Sequence, residues 1–220
     1  MAKGWARQEA KRNEVAEVLE RSSLWLRMHQ QTAVWVGVGT AAALIVAATA
    51  VYRHFSARED SWAKYAVAQS YAYSGQIPQA MELVKRLQEE HPGELAAGHA
   101  RLLEGDIEFQ QGRFKEAGET YQALLETARD KALIALAMAD VGMTKEAAGD
   151  CRSAVDADQR FLDSYQDHFL APQVHASMAR CHLSLGEADK ARAAYERIAF
   201  LYPDSSWAEW AKARLAPTKG

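Results

Sequence analysis

The stretch GRFKEA at Gly112–Ala117 returns three more times in altered form: GQIPQA at Gly75–Ala80, GDCRSA at Gly149–Ala154 and GEADKA at Gly186–Ala191. Successive copies begin 37 residues apart. A fixed interval of this size marks stacked supersecondary units, each burying its apolar face against a neighbour. The Gly fits a tight turn, where a residue without Cβ can take positive φ. The Ala is small because two helices cross there. Apolar and small residues precede each Gly at helical spacing: Ala68 and Tyr71, Gly105 and Phe109, Gly142, then Ala179 and Leu183. Large apolar residues follow the Ala at Val84, Tyr121 and Tyr195, and three positions later at Leu87, Leu124, Phe161 and Ile198. The pattern predicts helix, turn, helix, four times over, with no strand alternation.

Prolines agree. Pro78 and Pro172 fit first helical turns, where a missing N–H costs little. Pro92 and Pro203 fit helix ends. The last stretch, DSSWAEWAKARLA, opens on an Asp/Ser cap and carries Trp207, Trp210, Ala211 and Leu215 on one face. It reads as a helix capping the last repeat.

These residues resemble the tetratricopeptide repeat (TPR) family. That family's pattern sets a small residue, a turn Gly seven later, Ala five later, an aromatic four later and a helix-ending Pro. GDIEFQQGRFKEAGETY (Gly105–Tyr121) follows it through the aromatic, and ARCHLSLGEADKARAAYERIAFLYP (Ala179–Pro203) follows it through the Pro. The first copy keeps Ala68, Gly75, Ala80 and Pro92. The third is weakest: Asp158 stands where the aromatic belongs, and no Pro follows. The resemblance covers about 59–215, with repeats at about 61–93, 94–130, 131–167 and 170–203 and the capping helix at 204–215.

Ahead of the repeats, TAVWVGVGTAAALIVAATAVY (Thr32–Tyr52) is 21 residues without a charge, about the length of a helix that crosses hydrocarbon. Trp35 and Tyr52 lie near its ends, as suits the headgroup layer. A cleaved signal peptide is the rival reading, with Ala48-Thr49-Ala50 as the cleavage site, although the preceding tail is long and carries four Glu. GVGTAA (Gly37–Ala42) fits a dinucleotide fingerprint in letters only, since no strand precedes it. Gly37 with Ala41, Gly39 with Ala43, and Ala43 with Ala47 are each four apart, a spacing that lets helix backbones approach in lipid. The plain alternative is that Ala and Gly merely fill a weakly hydrophobic span. Residues 1–31 form a tail with six Lys/Arg and four Glu. In it EVAEVLERSSLWLRM sets Val15, Val18, Leu19 and Leu26 at helical spacing, for a helix on the membrane surface or in solvent. Residues 53–58 read as a juxtamembrane linker and 59–216 as the repeat body. The expected fold is all-α: one transmembrane helix, then an α-solenoid of about four TPR-like helix pairs with a C-terminal cap. The charge bias favours a cytoplasmic N-terminus only mildly.

Chemistry-bearing motifs are scarce. The net charge of −3 gives no electrostatic case for nucleic acid. No H-E-x-x-H, P-loop or G-x-S-x-G is present. His168, His175 and His182 are seven apart, about 10.5 Å of helical rise, too far to share a metal. His175 and His182 fall on core positions. Cys151 and Cys181 match no zinc spacing, and helical rise sets them roughly 7 Å apart along the axis of neighbouring helices, as two buried free thiols. No enzyme activity, cofactor, metal or small-molecule substrate is expected.

Stacked helix pairs present a surface built from the first helix of each repeat. The repeat phase assigns to it Trp62, Tyr65, Gln69, Tyr73, His99, Asp106, Phe109, Gln110, Asp140, Met143, Gln173 and Arg180. Core packing is the alternative for Tyr65 and Phe109. Mixed aromatic and polar character suits protein recognition. The layout of short tail, one span and repeat body resembles the bacterial ancillary SecYEG translocon subunit family. That resemblance implies an inner-membrane, single-pass protein with a cytoplasmic N-terminus and a periplasmic repeat domain, whose partners are the translocon, exported chains or chaperones. The repeats also resemble those of outer-membrane assembly lipoproteins and of a periplasmic cell-division coordinator. The first would need a Cys after the apolar run, the second a cleaved signal. A purely structural envelope subunit remains a further reading. A clamp for C-terminal carboxylates would need Asn in the groove, and the only Asn is Asn13.

Overall fold

The computed structural model describes Trp25 and residues 28–216. The tail residues Val15, Val18, Leu19 and Leu26 lie outside the described residues. The chain divides into two compact units, residues 1–56 and 57–220. Among the described residues, regular structure is helical throughout: α1 (Gln30–Tyr73), α2 (Ile77–Glu90), α3 (Leu95–Gln110), α4 (Phe114–Thr127), α5 (Lys131–Ala147), α6 (Cys151–Tyr165), α7 (Ala171–Ser184), α8 (Ala188–Leu201) and α9 (Ser206–Leu215).

Helix α1 runs 44 residues without a break. Residues 53–58, expected as a linker, are helical. No side chain in the apolar run from Thr32 to Tyr52 is buried within this chain. Val34, Leu44, Ile45 and Val46 are each more than 60% exposed. Thr40 and Thr49 turn their hydroxyls back onto the carbonyls of Val36 and Gly37, and of Ile45 and Val46. Both polar groups are thereby satisfied inside the helix.

In the repeat unit, the four echo glycines do what their spacing predicts. Gly75, Gly112, Gly149 and Gly186 have φ of +76°, +76°, +80° and +76°. After each, the next N–H donates to the carbonyl five residues back: Gln76 to Tyr71, Arg113 to Glu108, Asp150 to Lys145 and Glu187 to His182. This is the Schellman closure, which uses a left-handed residue to end one helix and aim the next. Ala80, Ala117, Ala154 and Ala191 are all fully buried. Asp130, Asp150 and Ser205 accept from Leu133, Ser153 and Ala208 backbone N–H groups as N-caps of α5, α6 and α9.

The core is a chain of small clusters rather than one mass. Ala68, Val84, Leu87, Ala96 and Ala100 close the first joint. Ala117, Tyr121, Val141 and Ala157 close the second. Phe161, Leu162, Ala171, Val174 and Met178 lie in the third. Tyr195, Ile198 and Ala211 meet Trp207, Trp210 and Leu215 at the end, where α9 covers the last pair as a cap. Trp210 stacks edge-on to Tyr195 and Trp207, and the Arg214 guanidinium lies 3.8 Å from its ring centre.

The third joint differs. Asp158 occupies the place of Val84, Tyr121 and Tyr195 and is only 1% exposed. Neither carboxyl oxygen has a hydrogen-bond partner. It lies against Gly142, where a Cβ would run into its carboxyl. Ser177 on α7, also without a partner, and the charges of Glu146 and Arg180 are its polar surroundings. Burial pushes its pKa up to about 7.

The histidine row is core as expected: His175 is 4% and His182 7% exposed. Burial, helped by Arg197, pulls His175 down to about 4, and His182 Nδ1 is 2.7 Å from Glu187. The cysteines are two buried free thiols, as expected. They pack in one cluster with Ala154. Residues 166–170 between α6 and α7 are wound in turns, with His168 and Ala171 N–H groups bonding back to Tyr165 and His168.

Candidate functional site

The first helix of each pair (the end of α1, then α3, α5 and α7) contributes a row of half-buried side chains. At its start, Trp62 meets Tyr65 edge to face at 5.7 Å, and both contact His99 on α3, at 5.4 and 5.8 Å between ring centres. Gln69 Nε2 donates to Tyr65 Oη at 3.2 Å. Tyr65 and His99 are held neutral chiefly by burial, which raises the first pKa and lowers the second.

Two carboxylates follow. Tyr121 Oη, reaching in from α4, donates to Asp106 Oδ1 at 2.7 Å. Burial pushes Asp106 up despite that bond. Asp140 on α5 is pushed up to about 7, by burial first and by the Asp106 charge second. Further along, Gln173 Nε2 approaches Met143 Sδ at 3.9 Å. Arg180 Nε and Nη2 grip Glu146 Oε1 and Oε2 at 2.5 and 2.7 Å.

Nine of the twelve sequence-assigned residues fall into three groups of contacts: Trp62, Tyr65, Gln69 and His99; Asp106 and Asp140; Met143, Gln173 and Arg180. Phe109 stands apart. Its ring lies 5.2 Å from Phe114 and packs on the second core cluster, so it is a core contact in large part. Tyr73, 84% exposed, and Gln110, also exposed, remain without such a group. Sequence reasoning missed Tyr121 as the donor to Asp106 and Glu146 as the mate of Arg180. Tyr121 lies on the second helix of its pair, and Glu146 on the first helix of the preceding repeat. The row lies outside two clefts of the repeat unit. One of about 670 Å³ opens between Pro92, Arg101, Leu124 and Asp130. One of about 510 Å³ lies between α4 and α5 beside Gly118 and Val141.

On the apolar part of α1, Gly37, Gly39, Ala41, Ala43 and Ala47 are all exposed. A Cβ at Gly37 or Gly39 would meet nothing within 4 Å.

Paired helices closed by left-handed glycines and sealed by a terminal helix define an α-solenoid. The tetratricopeptide repeat model matches residues 65–132 and 142–206, more than half of the chain, and the chain belongs to that family. Members of the family generally bind protein partners and are as a rule non-enzymatic scaffolds. Solved structures of the same fold include a tetratricopeptide repeat protein from Parabacteroides merdae, 15% identical with TM-score 0.59, over 71% of this chain and 59% of that one. Apo RapI is 14% identical with TM-score 0.65, over 72% and 46%. MamA from Desulfovibrio magneticus is 15% identical with TM-score 0.55, over 68% and 79%. The chain therefore spans well under two thirds of the first two. None of the curated proteins matches it.

Proposed function

We propose that this protein is a single-pass, membrane-anchored scaffold of the bacterial cell envelope. Its repeat domain stands on the periplasmic side and binds protein partners through the row from Trp62 to Arg180. It works by holding partners rather than by catalysis. The partners are exported chains or periplasmic chaperones, brought to the translocon, which the stripe Gly37, Gly39, Ala41, Ala43 and Ala47 contacts within the bilayer.

The observation that carries the anchor is the exposed, uncharged run of α1. A soluble protein would not leave Val34, Leu44, Ile45 and Val46 in water together. The binding role is supported by the family and by the Trp62, Tyr65 and His99 group, since half-buried aromatics are usual anchors of binding energy.

Two measurements test this reading. Protease added to osmotically opened cells should digest the repeat domain and spare the tail. Recovery of a soluble protein beginning at Val51 would replace the anchor by a signal peptide. Crosslinking from membranes should capture partners that a Trp62→Ala, His99→Ala variant loses while its helical melt persists. A folded double variant with full capture would move the binding surface elsewhere.

A further inference from the structure

We propose that Cys151 and Cys181 are a reversible disulfide site that fastens α6 to α7 across the joint between the third and fourth repeats. Cys151 is the first residue of α6, directly after the Asp150 cap, and Cys181 lies in the last turns of α7. The two helices are sequence neighbours, and Cys151, Ala154 and Cys181 form a buried cluster of their own, separate from the larger clusters around them. Burial first, and the neighbouring Cys151 thiol second, raise the Cys181 pKa, which places the two side chains side by side in that cluster. A disulfide needs that proximity without backbone movement.

The two thiols are not equivalent, and the difference sets the order of events. Cys181 is fully buried, and Cys151 is 9% exposed at a helix start. Burial pushes the Cys181 thiol up, and the neighbouring Glu146 and Asp158 charges push the same way. Cys151 is therefore the thiol that meets an external oxidant, and Cys181 resolves. With a small disulfide such as oxidised glutathione, Cys151 loses its proton to solvent, attacks one sulfur and releases one glutathione thiolate. The Cys181 sulfur, giving up its proton, then attacks Cys151 Sγ and releases the second glutathione. Two protein thiols become one disulfide, and one disulfide oxidant becomes two thiols. The bond closes across the joint that the unpartnered Asp158 weakens. Its chemistry does not rest on which side of a membrane the domain occupies.

The test uses the full-length protein, reduced in detergent and then exposed while folded to oxidised glutathione. After acid quench, unfolding and alkylation, intact mass should show no alkylated thiol and the loss of two hydrogens. A digest should give one peptide pair joined through Cys151 and Cys181, and dithiothreitol should reverse both. The oxidised form should melt several degrees above the reduced form. The Cys181→Ala variant should stop at one glutathione on Cys151. Two alkylated thiols in the treated parent, a glutathione adduct that persists in it, or dimers linked between chains would each overturn the proposal. These three readings come from the unaltered protein, so they stand even where a variant fails to fold.

Discussion

The second and third repeats place a glycine at the same point of the first helix and answer it differently from the second. At Gly105 the Tyr121 ring fills the space, so closely that a Cβ would come 2.5 Å from Cε1. The ring's hydroxyl crosses to Asp106. At Gly142 the Asp158 carboxyl fills the same space, and no donor meets it. One joint is plugged by an aromatic that pays its polar end with a hydrogen bond. The other is plugged by an acid whose pKa burial raises to about 7. The backbone repeat is equally well made in both, so the turn does not decide how strong a joint is. The residue facing the glycine does.

The largest effect is expected from Tyr121→Ala. It empties a fully buried aromatic site and strips Asp106 of its donor, for about 3–5 kcal/mol in a urea melt. A loss under about 1 kcal/mol would mean that the ring is not the plug.

Next comes the pH dependence of Asp158→Asn. The folded pKa is about 7 and the ordinary value 3.8, so the folded state binds the extra proton. The stability this gives is full below about pH 4 and is lost as pH rises through 7. Measured against the parent, the Asn variant should gain little at pH 4 and progressively more up to pH 8. The upper bound is on the order of 4 kcal/mol. Glu146 and Arg180 face the site in both proteins, so their own titration cancels in the difference. A difference that is flat with pH would break the comparison.

Smaller is the pair Gly105→Ala and Gly142→Ala. The first drives a methyl into a ring pinned by Asp106 and should cost about 1–3 kcal/mol. The second meets only the end of a carboxyl side chain, and better helix propensity returns up to about 1 kcal/mol. A reversed order in thermal melts would show that Asp158 is the more rigid plug. Smallest are Gly112→Ala and Gly149→Ala, which share positive φ and open surroundings. Each should cost about 1 kcal/mol, equally in both repeats. Unequal costs would put part of the difference back into the turn.

The turn glycines and crossing alanines were legible because both obey backbone rules: a left-handed φ and a close helix approach leave few residue choices. The face carrying Trp62, Tyr65, His99, Asp106 and Asp140 followed from helical phase. Phase does not say how far a side chain reaches or which rotamer it takes, so the Tyr121 bond to Asp106 and the Glu146 grip on Arg180 stayed hidden. The shared cluster of Cys151, Ala154 and Cys181 was equally out of reach, because the packing of neighbouring helices is not written in the phase of either. The weakness of the third repeat was visible as an acid in an aromatic's place. That the acid is sealed from water could come only from the packing.

From α2 onward, each helix packs on its neighbours along the chain, and α3, α5, α7 and α9 also meet one another in sequence. That locality has a kinetic meaning. No contact waits for a distant segment to arrive, so the loops closed during folding are short and their entropic toll is low. Such a body can assemble from any finished pair and grow by accretion. The early repeats can fold before the later ones exist as chain.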